Sequence, residues 1–401
     1  MNRSFTQTLS LLSLSLLLAA CSNASNEAKK SAQATTSTSA TGEVVVKIGH
    51  AGPLTGGLAN IGKDDENGAQ LAIDEINANG LTVNGQKIKL QLQSEDDAGD
   101  PKQGLIVAQK LVDSKVVAVV GHVNSGVSIP ANKIYADAGI AQISPASTHP
   151  DYTLKGNKTP NGNVTSYRVV ATDNKQGPAL VQYISKQGGK SIAVLDDSSQ
   201  FGKGLADQVA KIAKESGITV TERDAATDKT TDFKPILTKL KAQNPDYIFW
   251  AGFGDTAAPL AKQIKELGLK AKLIAPDGTC TDAFIQLAGA ASEGTVCSQA
   301  GIPVGKLARG ADFSRKYEAK YPGQTVQIYA PYAYDAVYAF VEAIKKANSI
   351  EPEAIAAALP QVSFEGLIGK VEFDATGELK SAGISILQVQ SKKFTVIDTV
   401  L

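Results

Sequence analysis

Apolar positions along this chain follow two alternating periods, a short β-branched run and then a stretch with one apolar face at helical spacing. Val44 to Ile48 reads as a strand, and Ala69, Ala72, Ile73 and Ile76 share one side of a helix from about Asp64 to Ala78. Lys87 to Gln93 alternates like a strand, and Asp100-Pro101 then opens a helix carrying Ile106, Val107, Lys110 and Leu111. Val116 to Gly121 and Ile140 to Ser144 flank a further helix, a strand–helix–strand unit suited to a sheet buried on both faces. A loop rich in Lys, Asn, Pro and Gly (150 to 164) leads to Tyr167 to Ala171, and the alternation then restarts. Strands are expected at Ser191 to Leu195, Ile218 to Thr221, Asp246 to Ala251 and Lys272 to Ala275, separated by helices over 203–215, 232–243 and 256–267. The repetition predicts a second sheet built like the first. The last part is less regular, with helices Tyr332 to Ala347 and Pro352 to Ala358 and strands Gly369 to Phe373, Ile384 to Val389 and Phe394 to Ile397.

A strand–helix–strand unit returns parallel, so the turns holding Asn124-Ser125-Gly126 and Ala146-Ser147-Thr148 emerge at the same carboxyl edge. Open α/β sheets bind ligands at that edge. Short hydroxyls beside the free N–H groups of a helix starting near Val127 make a receptor for a small carboxylate. The competing reading gives Ser125 only a capping role. Asp196 to Gly202, Gly252 to Asp255 and Pro276-Asp277-Gly278 follow strands of the second set and face the same crevice.

Residues 1 to 20 carry Arg3 and then a leucine-rich run too short to span a bilayer comfortably, which marks a secretion signal. Leu18-Ala19-Ala20-Cys21 resembles the lipobox of bacterial lipoproteins, where the cysteine is lipidated and becomes the first mature residue. Residues 21 to 42 then form a polar tether with little to bury, placing the protein outside the cytoplasm on a membrane. About 360 residues remain, enough for two lobes. Forty acidic and forty basic residues balance, against a nucleic-acid partner. In an oxidising compartment Cys280 and Cys297 fit a disulfide better than a metal site. Three scattered histidines (His50, His122, His149) and no HExxH give no metal centre or cofactor. The acidic run Glu95, Asp96, Asp97, Asp100 lacks calcium-loop spacing and reads as the solvated start of a helix. The turn from His50 to Gly57 has no phosphate-loop pattern, and helical packing accounts for Tyr329, Tyr332, Tyr334 and Tyr338.

Several stretches in this order resemble the extracytoplasmic solute-binding proteins of branched-chain amino acid ABC transporters. They are IGHAGPLTGGLANIGKDDENGAQLAIDEINANG, DDAGDPKQGLIVAQKLV, VGHVNSGVSIPA, ISPASTHP, DSSQFGKGLAD and APDG. The resemblance covers nearly the whole mature chain. It implies an α/β fold of two Rossmann-like lobes with parallel sheets, joined by three crossovers, that close on a ligand. Lobe one is then about 43–171 plus 301–384, and lobe two about 172–300 plus 385–401. It also implies that Ser125 and Thr148 hold the ligand carboxylate, that the backbone at Ala146 and the carboxylate of Asp277 meet the ammonium, and that Phe201 and Phe253 close over it. Departures stand out. Asp277 replaces the family's usual glutamate, the closing aromatics are Phe where Tyr is common, and Ile61 stands where leucine binders often place Tyr or Trp. A disulfide known in some relatives is absent, since its positions hold Gly99 and Asn124.

A zwitterion buried between lobes needs both charges paired, because an unpaired buried charge costs several kcal/mol. Hydroxyls and amides at one end and a carboxylate at the other meet that need. The expected function is capture of an amino acid, Leu, Ile or Val first, for a membrane permease, by a monomer with no cofactor. The alternative within the same fold is an amide, urea or aromatic acid as ligand. An enzyme using Ser125 with His122 or His149 is disfavoured, because GxSxG is missing and no third group stands behind the histidine.

Overall fold

A computed structural model describes residues 42–400. The leader at 1–20, Cys21 and nearly all of the tether lie outside the described residues. Two large sheets form, each with helices on both faces, as the strand–helix alternation requires, and Ser363–Glu365 pairs with Lys370–Glu372 in a small two-stranded one. The first runs Leu81–Val83, Gln86–Asp96, Val44–Gly52, Ala118–Gly121, Ala141–Ser144, Ser166–Arg168 in spatial order. The second runs Lys393–Val400, Ile384–Gln390, Val296–Gln299, Lys272–Ala275, Tyr247–Ala251, Ser191–Asp196, Thr219–Ala225. The chain passes from first sheet to second after Arg168, and returns after Gln299 to lay helix Ala330–Ala347 along helix Ala59–Asn79. It crosses a last time to add Ile384–Gln390 and Lys393–Val400 to the second sheet. The fold is therefore the two-lobed α/β arrangement that the alternation and the resemblance imply.

The sheets are mixed rather than wholly parallel, which corrects the expectation. Leu81–Val83 pairs antiparallel with Gln86–Asp96, and Ile384–Gln390 pairs antiparallel with both Val296–Gln299 and Lys393–Val400. The cause is local. Asn84-Gly85 takes φ of 47° and 76°, and Ser391-Lys392 takes 53° and 61°, the left-handed pairs of two-residue hairpin turns. A helix at Asp173–Lys186 is also absent from the periodicity reading. Its Gly177-Pro178 looks like a break, yet Pro178 is accommodated inside the helix, as Pro130 is inside Ser125–Asp137.

Buried charge organises the first lobe. The carboxylate of Asp64 is 2% exposed and accepts from the backbone N–H of Gln327 at 2.9 Å and of Tyr329 and Ala330 at 2.8 Å each. It thereby supplies the capping that helix Ala330–Ala347 lacks locally. Asp97 is fully buried against His122, with Nδ1 to Oδ2 at 2.6 Å, and His122 Nε2 meets the Tyr135 hydroxyl at 3.0 Å. The acidic run is thus only partly a solvated helix start: Asp100 caps helix Pro101–Asp113, while Asp97 belongs to the core.

Helices Ala59–Asn79 and Ala330–Ala347 cross at Gly68, where an added Cβ would meet the Ala330 backbone well inside contact distance. Gly68→Ala should therefore cost about 1–3 kcal/mol by overpacking, although alanine favours helix. Urea denaturation should show the midpoint fall with the slope unchanged.

Candidate functional site

Both sheets turn the carboxyl ends of their parallel strands toward one crevice, and the loops there carry the chemistry. Ser125 is the first residue of helix Ser125–Asp137, two positions earlier than expected, and Asn124 takes the capping position without a side-chain cap bond. The hydroxyl of Ser125 is 2% exposed and accepts from the His149 backbone N–H at 3.3 Å, so it braces the neighbouring turn as well as facing the crevice. Thr148 is 1% exposed, and its Oγ1 has no protein partner. Ala146 is buried beside them. Ser147 differs from its neighbours, because its hydroxyl turns back to Ser128 and to the Val123 carbonyl at 3.0 Å. That hydroxyl is spent on holding two loops together. Arg168, fully buried, fixes the turn from beneath by donating to the carbonyls of Ser147 and His149 while pairing with Glu378 at 3.0 Å.

The second lobe presents Asp277, 1% exposed. Its Oδ2 accepts from the Tyr329 hydroxyl at 3.0 Å, its backbone N–H donates to Gln176 Oε1 at 3.1 Å, and its Oδ1 has no partner. Burial pushes the carboxyl up to about 6 against the lowering effect of hydrogen bonds from Tyr329 and Gln176. Phe201 and Phe253 lie with ring centroids 5.4 Å apart. They line a cavity of about 510 Å³ whose far wall is Pro101, Asn124 and Gly126 of the first lobe.

Ile61, Ala146, Tyr329 and Val123 share one apolar cluster with Ala275, Cys280, Cys297 and Leu387, and Phe253 packs against it. Cys280 and Cys297 are joined, with Cα atoms 5.9 Å apart, and stand in this wall. Gly99 and Asn124 are neighbours in space, since a Cβ on Gly99 would lie 3.6 Å from Asn124 Oδ1. The structure therefore gathers Ile61, Ala146, Phe201, Phe253 and Asp277 through this cluster and its contacts, and Ser125 and Thr148 at the adjoining turns.

Three participants escape the sequence reading. Asp173 opens helix Asp173–Lys186, donates its N–H to the Thr148 carbonyl at 3.0 Å and accepts from Gln176 Nε2 at 3.1 Å. Its Oδ2 is buried and unpartnered, and burial together with the nearby Asp277 pushes the carboxyl up to about 7. Gln176, fully buried, links Asp173 to Asp277. The rule that found Ser125, a polar residue opening a helix just past a strand, applies equally to Asp173 once that helix is recognised. Tyr329 is the third. It precedes its helix and points its hydroxyl at Asp277, whereas Tyr334 does pack as expected, against Phe313 at 5.3 Å. Both ring nitrogens of His122 are bonded, and His149 Nδ1 accepts from the Asp151 N–H at 3.1 Å. Among the described residues, no group of three or more His, Cys, Asp or Glu could hold a metal ion.

Comparison with known proteins agrees with this geometry. A leucine-, isoleucine-, valine-, threonine- and alanine-binding protein of Pseudomonas aeruginosa is 34% identical over 350 residues, 86% of this chain and 89% of that protein. A leucine-binding protein from Thermotoga maritima superposes with a TM-score of 0.80 at 26% identity, covering 88% of this chain and 98% of the other. The substrate-binding protein of a branched-chain amino acid transporter from Streptococcus pneumoniae, solved with isoleucine, gives 0.78 at 27% identity, with coverage of 88% and 99%. Residues 45–393 match the profile of the family described as periplasmic binding protein, and the chain belongs to that family.

Proposed function

We propose that this chain is an extracytoplasmic lipoprotein, anchored through Cys21, that captures leucine, isoleucine or valine between its lobes and delivers it to an ABC transporter permease. The observation that carries the reading is the opposition of two kinds of buried polar group across one apolar wall. Ser125, Thr148 and the start of helix Ser125–Asp137 offer hydroxyls and N–H groups to a carboxylate. Asp277 offers an unpartnered carboxylate oxygen to an ammonium. Ile61, Ala146, Tyr329 and Phe253 form an apolar wall beside them that suits an apolar side chain. The ligand-binding set is thus Ser125, Ala146 through its backbone, Thr148, Phe201, Phe253, Asp277 and Ile61, with Ser147 bracing the turn.

Lobe one comprises about 43–171 and 301–384, and lobe two about 172–300 and 385–401, a division supported by sheet membership. Capture works by population shift, since only the closed arrangement engages both groups of contacts at once. The protein acts as a monomer and performs no chemistry on its cargo. Both ring nitrogens of His122 and the Nδ1 of His149 are committed elsewhere, and Ser125 faces a backbone N–H rather than an imidazole.

Leucine at 100 times its dissociation constant should raise the stability of the unlipidated protein by about 2.7 kcal/mol, read as a shift in thermal midpoint. Asp277→Asn keeps the shape but removes the charge and should weaken leucine at least 100-fold by titration calorimetry, in line with about 3–5 kcal/mol for breaking a buried pair. Equal affinity in that variant would rule out an ammonium at Asp277. Gly204, on helix Gln200–Glu215, faces the His149 ring, and an added Cβ would lie 2.6 Å from its Cδ2 and Nε2. The ring is held by the Asp151 N–H, so Gly204→Val should prop the lobes apart. Small-angle scattering with saturating leucine should then show no contraction where the parent protein contracts.

A further inference from the structure

Two short segments meet where the lobes touch, 276–282 from the second and 325–329 from the first, and they are bonded at two places. At the inner one the Tyr329 hydroxyl donates to Asp277 Oδ2 at 3.0 Å. At the outer one Gln327 Oε1 accepts from the Asp282 backbone N–H at 3.1 Å, while Gln327 Nε2 donates to Asp282 Oδ2 at 3.2 Å. The Thr325 hydroxyl reaches the same carboxylate oxygen at 3.4 Å. A side-chain amide offers an acceptor and a donor side by side, and Asp282 presents their complements, a backbone N–H and a carboxylate.

We propose that Gln327 and Asp282 form a latch that engages only when the lobes are together, and that it sets how tightly the protein holds a captured amino acid without helping to choose which one. This inference rests on the capture reading above and adds to it a pair of positioning residues outside the crevice.

Both halves of the latch are fixed within their own lobes, so the bonds between them report the relation of the lobes and not local folding. On the first lobe, Asp64 holds the backbone N–H of Gln327 at 2.9 Å and of Tyr329 at 2.8 Å. The Gln327 amide is oriented in advance, because its Nε2 also donates to the Thr325 hydroxyl at 3.0 Å and the Thr325 carbonyl at 3.2 Å. On the second lobe, the Thr281 hydroxyl caps helix Asp282–Ala288 by accepting from the Phe284 N–H at 3.2 Å, and neighbouring Cys280 is joined to Cys297. Gln327 supplies an acceptor for the Asp282 N–H, which has no partner within its own helix.

The latch stands apart from the ligand-binding set. Asp282 is exposed and Gln327 half-buried, and with Lys63 and Gln286 they line a separate cavity of about 410 Å³. Neither residue lines the cavity of Phe201 and Phe253, and neither belongs to the apolar wall. Its contribution is therefore the same whichever side chain is enclosed. A contact that favours only the closed arrangement scales every apparent dissociation constant by one factor. The factor falls on release, because capture begins with the lobes apart.

Binding of leucine, isoleucine and valine to the full mature chain, produced without lipid, is measured by titration calorimetry, with rates from stopped-flow fluorescence. Gln327→Leu should raise all three dissociation constants by a common factor of about three to ten, the net worth of such a bonded pair, with the association rate unchanged. Gln327→Glu sets two carboxylates face to face and should weaken binding at least as much. Adding Asp282→Asn to Gln327→Glu restores a donor opposite the new carboxylate, and should return affinity to within about twofold of the parent. Parental affinity in both single variants, unequal factors among the three ligands, or no recovery in the double variant overturns the latch and leaves the capture reading standing. If none of the three amino acids binds the parent, both are overturned. The thermal midpoint without ligand checks that each variant is folded, and if Gln327→Leu is not, the comparison of Gln327→Glu with its double variant decides.

Discussion

A carboxylate sealed away from water has to be matched by a cation or a proton, and much of this molecule's first lobe and crevice answers that demand. Asp64 is matched by three backbone N–H groups, Asp97 by an imidazole, and Glu378 by Arg168. Each such match fixes two segments far apart in sequence. Asp173 and Asp277, at the crevice, each have an oxygen left over, and Asp65, 3.4 Å from His50 Nε2, has no hydrogen bond at either oxygen. Leaving a buried carboxylate unmatched costs several kcal/mol, comparable with the net stability of a folded domain.

The scaffold keeps the crevice groups in place through backbone rather than side-chain packing. Strands ending at Gly121, Ser144 and Arg168 deliver consecutive turns to one edge, and Arg168 holds the second of them by its carbonyls. In the same lobe, Asp64 grips the segment that carries Tyr329, so the hydroxyl reaching across to Asp277 is set by a carboxylate on another helix. The apolar wall, by contrast, depends only on shape. Ile61, Phe253 and Leu387 can change size without disturbing any hydrogen bond at the polar ends. A family with one way of holding an α-amino acid end can thus diverge in the side chain it accepts.

Much of this was legible in the sequence and some was not, for physical reasons. Alternating periodicity predicts the two sheets because buried parallel strands are continuous apolar runs, and the edge rule then points to Ser125, Thr148 and Asp277 without any coordinates. Hairpins at Asn84-Gly85 and Ser391-Lys392 escaped because one pairs a strand of only three residues, too short for a periodic signal, and the other lies in the irregular final part of the chain. Helix Asp173–Lys186 escaped because Gly177-Pro178 mimics a break, and Asp173 and Gln176 went with it. Tyr329 was hidden among tyrosines that do pack. Ser147 shows the opposite failure: its residue type fits a binding turn, and only the direction of its hydroxyl, which sequence does not encode, removes it.

The bridge between Cys280 and Cys297 sits in the same wall as Ile61, Ala146 and Tyr329. Where thiols are kept reduced these are two separate side chains, and the wall they complete is unfinished. A covalent link between residues 17 apart in sequence thus holds the turn after strand Lys272–Ala275 and the neighbouring strand Val296–Gln299 at fixed separation, independently of the hydrogen bonds around them.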